Sequence, residues 1–128
     1  HILKKIDPQK NTIIQTSVQH LARTLKAQPI VIKNENEIFS AQIVVAASKI
    51  DTLREFIDLM PVENTIVIVG DREDIHEYVI KRKVRVLIVS AGRMISKEMK
   101  DLAEENNVSV LTTPFHTAGA SWLALFAF

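Results

Sequence analysis

Three short stretches of this chain place polar side chains directly after apolar, β-branched runs. They are Gly70-Asp71-Arg72, Ser90-Ala91-Gly92-Arg93 and Thr112-Thr113-Pro114-Phe115-His116-Thr117. Arginine can grip a phosphate or carboxylate with paired N–H donors, glycine lets backbone amides approach a ligand, and threonine adds hydroxyl donors. This chemistry suits a small anion or a nucleotide. The candidate ligand-binding residues are therefore Gly70, Asp71, Arg72, Ser90, Gly92, Thr113 and Thr117.

The same residues also allow a purely structural interpretation. Asp71 can cap the N-terminus of a following helix, and Glu73 and Asp74 would then lie favourably in its first turn. Arg72 can pair with an acid across the edge of a sheet, while the glycines only permit tight turns. The sequence alone leaves both interpretations open.

Other patterns of catalytic or metal-binding chemistry are weak. Neither GxxxxGK[ST] nor GxGxxG occurs, so both common nucleotide fingerprints are absent. His20, His76 and His116 fall on three different elements without ligand spacing, so we expect no metal and no cofactor; His20 and His76 are expected to be solvated or half-buried. Ser90 lacks a G-x-S-x-G context. A stand-alone enzyme, such as a phosphotransfer protein using Asp71 or His116, is disfavoured because no base and nucleophile can be paired.

Apolar periodicity predicts the elements that would position the three stretches. Runs of β-branched residues predict strands at 30–32, 41–47, 65–69, 84–89 and 109–112. Spacings of three and four predict four helices. The first is capped by Asn11 or Thr12 and has Ile14, Val18, Leu21 and Leu25 inward; the second has Ile50, Leu53, Ile57 and Met60 inward and ends at Pro61. The third has Ile75, Val79 and Ile80 inward, and the fourth is capped by Ser96 and ends at Asn106-Asn107.

This alternation predicts an α/β domain with three layers, a mostly parallel sheet of about five strands and helices on both faces. Right-handed crossovers would place all three polar stretches on one edge of that sheet. The segment 121–128 is very apolar but too short to span a bilayer, which takes about twenty residues. It is either a last core helix or a surface that another subunit covers.

Composition limits the classes of function. The 128 residues are 47% hydrophobic and 24% charged, which is typical of a globular domain. We expect one domain over 11–128, preceded by a linker or upstream tail over 1–10. Because the chain begins with His1 rather than methionine, we also expect it to be part of a longer protein. The net charge of +1 argues against nucleic-acid binding. The absence of cysteine fits the cytoplasm, and no signal peptide is expected.

The polar stretches, in their order and spacing, carry a family resemblance. The strand, turn and helix start over Ile68-Val69-Gly70-Asp71-Arg72-Glu73-Asp74-Ile75 resemble the opening signature of the DRTGG domain. Segments 87–92 and 110–117 follow at matching distances, and 43–47 with its acidic helix also fits, so the resemblance covers roughly residues 12 to 119. The chain departs from the family at Ser90-Ala91-Gly92, where the family has Thr-Gly-Gly, and in the apolar segment 120–128. The first departure raises the question of whether residue 91 keeps a positive φ.

The resemblance implies a fold similar to the N-terminal domain of HPr kinase/phosphorylase and no catalytic residues in this chain. It further implies a regulatory and dimerisation module of a cytoplasmic CBS-containing inorganic pyrophosphatase, with a manganese-dependent enzyme as the parent. The expected partners are a second copy, flanking CBS or enzyme domains and an adenine nucleotide held mainly by the CBS domains. The alternatives are a stand-alone sensor of a nucleotide or anion, or an accessory domain of a phosphate acetyltransferase.

Overall fold

A computed structural model describes residues 13–46, 53–55, 57 and 61–126 of the chain. The strands are β1 (Ile13–Thr16), β2 (Gln28–Val31), β3 (Phe39–Val45), β4 (Thr65–Val69), β5 (Val86–Val89) and β6 (Ser109–Thr112). The α-helices are α1 (Val18–Thr24), α2 (Glu73–Lys81), α3 (Lys97–Glu105) and α4 (Thr117–Phe126), with a 3₁₀ turn over Val62–Asn64. Leu53–Glu55 and Ile57 are also helical.

The described strands form one sheet in the order β1-β3-β4-β5-β6-β2. The four central strands run parallel, whereas β1 is antiparallel to β3 and β2 is antiparallel to β6. The prediction of an α/β fold is confirmed, but the sheet has six strands rather than five and is mixed rather than mostly parallel. β1, which was not predicted, is the sixth strand, and the antiparallel pairing of β1 and β2 makes the sheet mixed. Neither edge strand is the buried apolar run that marks a parallel strand.

β1 replaces the beginning of the first predicted helix. Ile13–Thr16 is a strand, and α1 begins only at Val18, where the Ser17 hydroxyl accepts a hydrogen bond of 3.1 Å from the His20 amide. Ile14 and Val18 are nevertheless buried in the same cluster. Their four-residue step therefore reflects one buried face reached by two elements, not one continuous helix. The predicted caps Asn11 and Thr12 lie outside the described residues.

The connections between the central strands explain why one face of the sheet carries most of the helices. The central strands follow each other in chain order, so right-handed crossovers all pass over the same face. On that face the helical residues 53 and 57, α2 and α3 cover one cluster, which includes Leu53, Ile57, Ile75, Val79, Met99 and Ala103 above Val67, Leu87 and Val110. On the opposite face α1 and α4 cover a second cluster, which includes Leu21, Leu25, Ala120 and Ala124 above Ile66, Ile88 and Leu111. The predicted three-layer arrangement is confirmed.

The apolar C-terminal segment is a core helix with an exposed side. Within α4, Ala120, Ala124 and Leu125 are buried, whereas the Trp122 side chain is 60% exposed. Residues 127 and 128 lie outside the described residues. The interpretation as a last core helix is therefore confirmed, and an apolar side chain remains at the surface.

The remaining predicted elements agree closely with the structure. The strand expected at 30–32 spans 28–31, and the strand expected from residue 84 begins at Val86. Ser96 caps α3 by accepting from the Met99 amide, and Asn107 leaves it in the left-handed region with φ 59°. Of the helix expected before Pro61, Leu53 and Ile57 are helical and buried, while Ile50 and Met60 lie outside the described residues, as does the segment 1–10.

Candidate functional site

The three polar stretches meet at the edge of the sheet where the parallel strands end. The Ser90 amide donates to the Val69 carbonyl at 2.9 Å, which joins the second stretch to the end of β4. The amides of Ala91 and Gly92 donate to the carbonyls of Phe115 and Thr113 at 2.7 and 2.8 Å, which joins the second stretch to the third. The predicted convergence of these loops is confirmed. We call this edge the rim, defined by residues 70–72, 90–93 and 113–117.

Hydroxyl groups strengthen the junction. Ser90 Oγ and Thr117 Oγ1 lie 2.6 Å apart, within hydrogen-bond distance. Thr113 Oγ1 donates to the Leu25 carbonyl just after α1 at 2.7 Å, and it accepts from the Phe115 amide at 3.3 Å. Ser90 and Thr113 are fully buried. These hydroxyls are therefore engaged with protein atoms and hold two loops and the end of α1 together.

The turn at Ser90-Ala91-Gly92 keeps the left-handed backbone that the family pattern implies. Ala91 has φ 60° and Gly92 has φ 67°. A Cβ built at Gly92 would meet no atom within 4 Å, so the backbone conformation, rather than lack of space, favours glycine there. Alanine at position 91 adopts a conformation that costs an L-residue about 1–2 kcal/mol. The Ala91 departure from the family therefore changes the strain of this turn and not its shape.

Asp71 is not the N-cap of the following helix. The N-cap position of α2 is Arg72, whose side chain makes no capping hydrogen bond. The Gly70 carbonyl instead accepts from the Arg72 amide at 3.0 Å and lies 2.8 Å from His76 Nε2. In the tautomer that protonates Nε2, His76 donates to that carbonyl. The helix thus starts one residue later than predicted, on a turn that an imidazole holds.

His76 is buried, with only 2% of its surface exposed, so the expectation that it is solvated or half-buried is wrong. It follows Ile75 and precedes Val79 and Ile80 by three and four positions, which places it on the buried stripe of α2. That spacing was the sequence signal that His76 is buried. A polar residue on such a stripe needs a hydrogen-bond partner, and the Gly70 carbonyl supplies one.

Arg72 pairs with an acid of its own helix rather than across the rim. Its Nε and Nη2 donate to Oδ1 and Oδ2 of Asp74 at 3.0 and 2.9 Å. This bidentate bond is the main reason that the pKa of Asp74 lies below its ordinary value, and the same bond raises the pKa of Arg72. Both side chains are about half exposed. Asp71, Arg72 and Gly92 are the exposed members of the seven candidates, while Gly70 and Thr117 are half-buried.

A second polar region lies at the opposite edge of the sheet and was not predicted. A cavity of about 300 Å³ is lined there by residues that include Lys33, Lys83, Arg85 and Ser109. Lys83, Arg85 and Ser109 lie where the neighbouring parallel strands β5 and β6 begin, and Lys33 joins them because β2 returns beside β6. No local sequence pattern predicts that Lys33 lies beside these strand starts. Among the described residues, no three His, Asp or Glu side chains lie close enough to hold a metal ion.

The sequence matches the DRTGG domain family over residues 20–124. The chain therefore belongs to the DRTGG domain family, as its three spaced stretches indicated. None of the described helices has the length and apolar character needed to cross a membrane.

A particular relative is the cobalt-dependent inorganic pyrophosphatase of Clostridium perfringens (strain 13 / Type A), which is 41% identical over 108 residues. The match covers 84% of this chain and 19% of the relative, so the chain spans about a fifth of that protein. A similar solved structure contains the CBS and DRTGG domains of the regulatory region of Clostridium perfringens pyrophosphatase, complexed with its activator diadenosine tetraphosphate. It is 39% identical with a TM-score of 0.76, over 86% of this chain and 46% of that one.

Replacing Ala91 by glycine is expected to stabilise the protein by about 0.5–1 kcal/mol, because glycine removes the left-handed strain and its greater freedom in the unfolded chain offsets part of the gain. Urea denaturation measures the change. Ala118→Gly, at an exposed position of α4, is the matched control and is expected to destabilise by up to about 1 kcal/mol. Destabilisation by Ala91→Gly would contradict the strained turn.

The carboxyl group of Asp74 is expected to titrate below an ordinary aspartate, and Arg72→Ala is expected to raise its midpoint. A carboxyl-carbon NMR titration measures both. Because the folded-state pKa is depressed, the stabilisation from this pair is present above the unfolded-state pKa and is lost as the pH falls through the folded-state value. Arg93→Ala, also exposed on the rim, is the control and should leave the Asp74 midpoint unchanged. An equal shift in both variants would refute the bidentate pair.

Proposed function

We propose that this chain is a non-catalytic regulatory domain of a CBS-containing inorganic pyrophosphatase. The observation that carries the proposal is the match to the regulatory region of the Clostridium perfringens enzyme, at 39% identity and a TM-score of 0.76 over 86% of the chain. That region binds the activator diadenosine tetraphosphate. In the proposed parent, an adenine nucleotide is held mainly by the CBS domains, and the DRTGG domain participates in the regulatory response.

The rim supports a structural role for this domain within a larger regulatory region. Its backbone and hydroxyl hydrogen bonds join the ends of β4, β5 and β6 to the end of α1 and the start of α4. A displacement of α4 would therefore strain the Ser90–Thr117 hydrogen bond and the turn at Ala91. Such a junction is suited to linking movements of α1 and α4 to the ends of the central strands.

We further propose that the parent acts in the cytoplasm as a homodimer and that this domain contributes to the dimer. Trp122 and Met94 are 60% and 57% exposed, and large exposed apolar side chains are typical of surfaces that a partner covers. The expectation that the parent is manganese-dependent stays a prediction, as the similar pyrophosphatase is named for cobalt. The expected absence of a cofactor in this chain and the likeness to the N-terminal domain of HPr kinase/phosphorylase also stay predictions.

Ligand binding at the rim is a second candidate function. The exposed guanidinium of Arg72, on the same rim as the exposed residues Asp71 and Gly92, favours a small anion or nucleotide. Such a ligand would compete with Asp74 for Nε and Nη2 of Arg72, to which that carboxylate is already bonded, or would bind through Nη1. The roles of Gly70, Ser90, Thr113 and Thr117 in ligand binding stay predictions, as does the alternative of an accessory domain in a phosphate acetyltransferase.

The intact gene product that contains this chain is expected to hydrolyse pyrophosphate and to be activated by diadenosine tetraphosphate. The 128-residue chain alone is expected to hydrolyse none. Phosphate release, measured with and without the activator, tests both statements. Turnover by the chain alone, or an intact product without pyrophosphatase activity, would overturn the proposal. An intact pyrophosphatase whose rate of phosphate release does not change with the nucleotide would contradict the regulatory role.

The chain is expected to form a dimer at high micromolar concentration, which size-exclusion chromatography with light scattering measures. Trp122→Ser is expected to shift the equilibrium towards the monomer, because it removes a large exposed apolar side chain from α4. Ile38→Ser is the matched control, since Ile38 is 73% exposed but lies in the turn before β3. A monomeric wild type, or equal weakening by the two variants, would reject α4 as the dimer surface.

A further inference from the structure

The cavity opposite the rim collects charged residues from four separate segments. It lies at the edge where β4, β5 and β6 begin and where the chain leaves β2. The ionisable residues that line it are Lys33, Glu63, Lys83, Arg85 and Glu105. Asparagine amides from positions 34, 106 and 107 complete its polar wall. Its volume of about 300 Å³ is at the lower end of small-molecule sites.

The walls of this cavity are fixed by contacts that leave the ammonium groups of Lys33 and Lys83 and the carboxylates of Glu63 and Glu105 unused. Ser109 Oγ accepts from the Lys33 amide at 2.9 Å and is 3.2 Å from the Lys33 carbonyl, to which it donates. The Arg85 guanidinium pairs with Glu37 and stacks 4.2 Å from the centre of the Phe39 ring. These contacts hold the turn after β2 beside the start of β6 and leave Arg85 preorganised.

The charges of the cavity are not neutralised by one another. Within the described part of the chain, no carboxylate lies within 4.0 Å of the ammonium group of Lys33 or Lys83, and Glu63 and Glu105 form no ion pair. Other exposed charges of the same domain do pair, as Lys81 does with Glu77 at 2.8 Å. Two ammonium groups and two carboxylates therefore share one cavity without satisfying each other.

This mixture restricts the chemistry of a ligand. A simple anion would be attracted by Lys33 and Lys83 but repelled by Glu63 and Glu105, and for a simple cation the attraction and the repulsion are reversed. A ligand that carries a phosphate and several hydroxyl groups satisfies both sets, since ammonium groups donate to phosphate and carboxylates accept from sugar hydroxyls. We propose that this cavity binds a phosphorylated sugar, either as a free sugar phosphate or as the ribose phosphate of a nucleotide.

This inference does not rest on the proposed pyrophosphatase function. The cavity is built entirely from this chain, so binding can be measured without any CBS domain. If the cavity binds no ligand, the regulatory proposal is unaffected. If the regulatory proposal fails, the prediction that the cavity binds a phosphorylated sugar is unaffected.

The test is isothermal titration calorimetry of the 128-residue chain with ribose 5-phosphate, AMP, adenosine and inorganic phosphate. Ribose 5-phosphate or AMP is expected to bind at least about tenfold more tightly than adenosine or inorganic phosphate, because only the former offer both phosphate and hydroxyl groups beside each other. Tighter binding of AMP assigns the site to a nucleotide, and tighter binding of ribose 5-phosphate assigns it to a free sugar phosphate. Either result supports the proposal.

The paired variant Lys33→Gln/Lys83→Asn is expected to weaken that binding about tenfold or more through loss of the ammonium donors. Asparagine is chosen because Lys83 has φ 61° and asparagine tolerates that conformation. Lys97→Gln/Lys100→Gln, two exposed lysines of α3, is the matched control and should bind like the wild type.

Amide chemical shifts of the wild type give a reading that does not depend on any variant. Ligand addition is expected to shift the amides of residues 33–34, 83–85 and 105–109, while those of the rim stay in place. The proposal is overturned if neither phosphorylated ligand binds at millimolar concentration, if inorganic phosphate binds as tightly as ribose 5-phosphate, or if the shifts fall on the rim. Equal affinity of a folded Lys33→Gln/Lys83→Asn variant and the wild type would also overturn it.

Discussion

The structure depends on a sheet whose central strands must be covered on both faces. Every residue of β4 and β5 is buried, so each strand presents apolar side chains in both directions. Such strands are stable only between two layers of helix. The right-handed crossovers fill one face, and the other is left to α1 and α4, which come from the two ends of the domain. Polar chemistry is thereby confined to the two edges where the strands begin and end.

This confinement explains why the general architecture could be predicted from the sequence. Thr65–Val69 and Val86–Val89 are apolar runs with no polar alternation, and the segments after them have helical periodicity. Those patterns are local, and the handedness of the crossovers then places the three polar stretches on one edge. The position of the candidate residues followed from the same reasoning. Their hydrogen-bond partners did not, because these depend on distances between loops.

The failures also have physical causes. β1 was missed because Ile14 and Val18 are buried on the same face at helical spacing. They nevertheless belong to two elements, since β1 ends at Thr16 and Ser17 caps α1. The capping role assigned to Asp71 was wrong because the Gly70 carbonyl is held by His76 and the helix begins one residue later. β2 was predicted as a strand, but its antiparallel pairing with β6 was not, because no local pattern encodes which strand an edge strand pairs with. The cavity at the second edge depends on the same long-range pairing of β2 with β6.

The segment β1–α1–β2 runs from one edge of the sheet to the other, since β1 flanks β3 and β2 flanks β6. Between these two strands it crosses five strand spacings, about 24 Å, and α1 lies within that crossing. Thr113 bonds to Leu25 across 88 positions, and Ser109 bonds to Lys33 across 76. During synthesis, β2 must therefore wait until β6 has been made before the pairing between them exists. High contact order of this kind slows folding and leaves β2 uncovered in the nascent polypeptide.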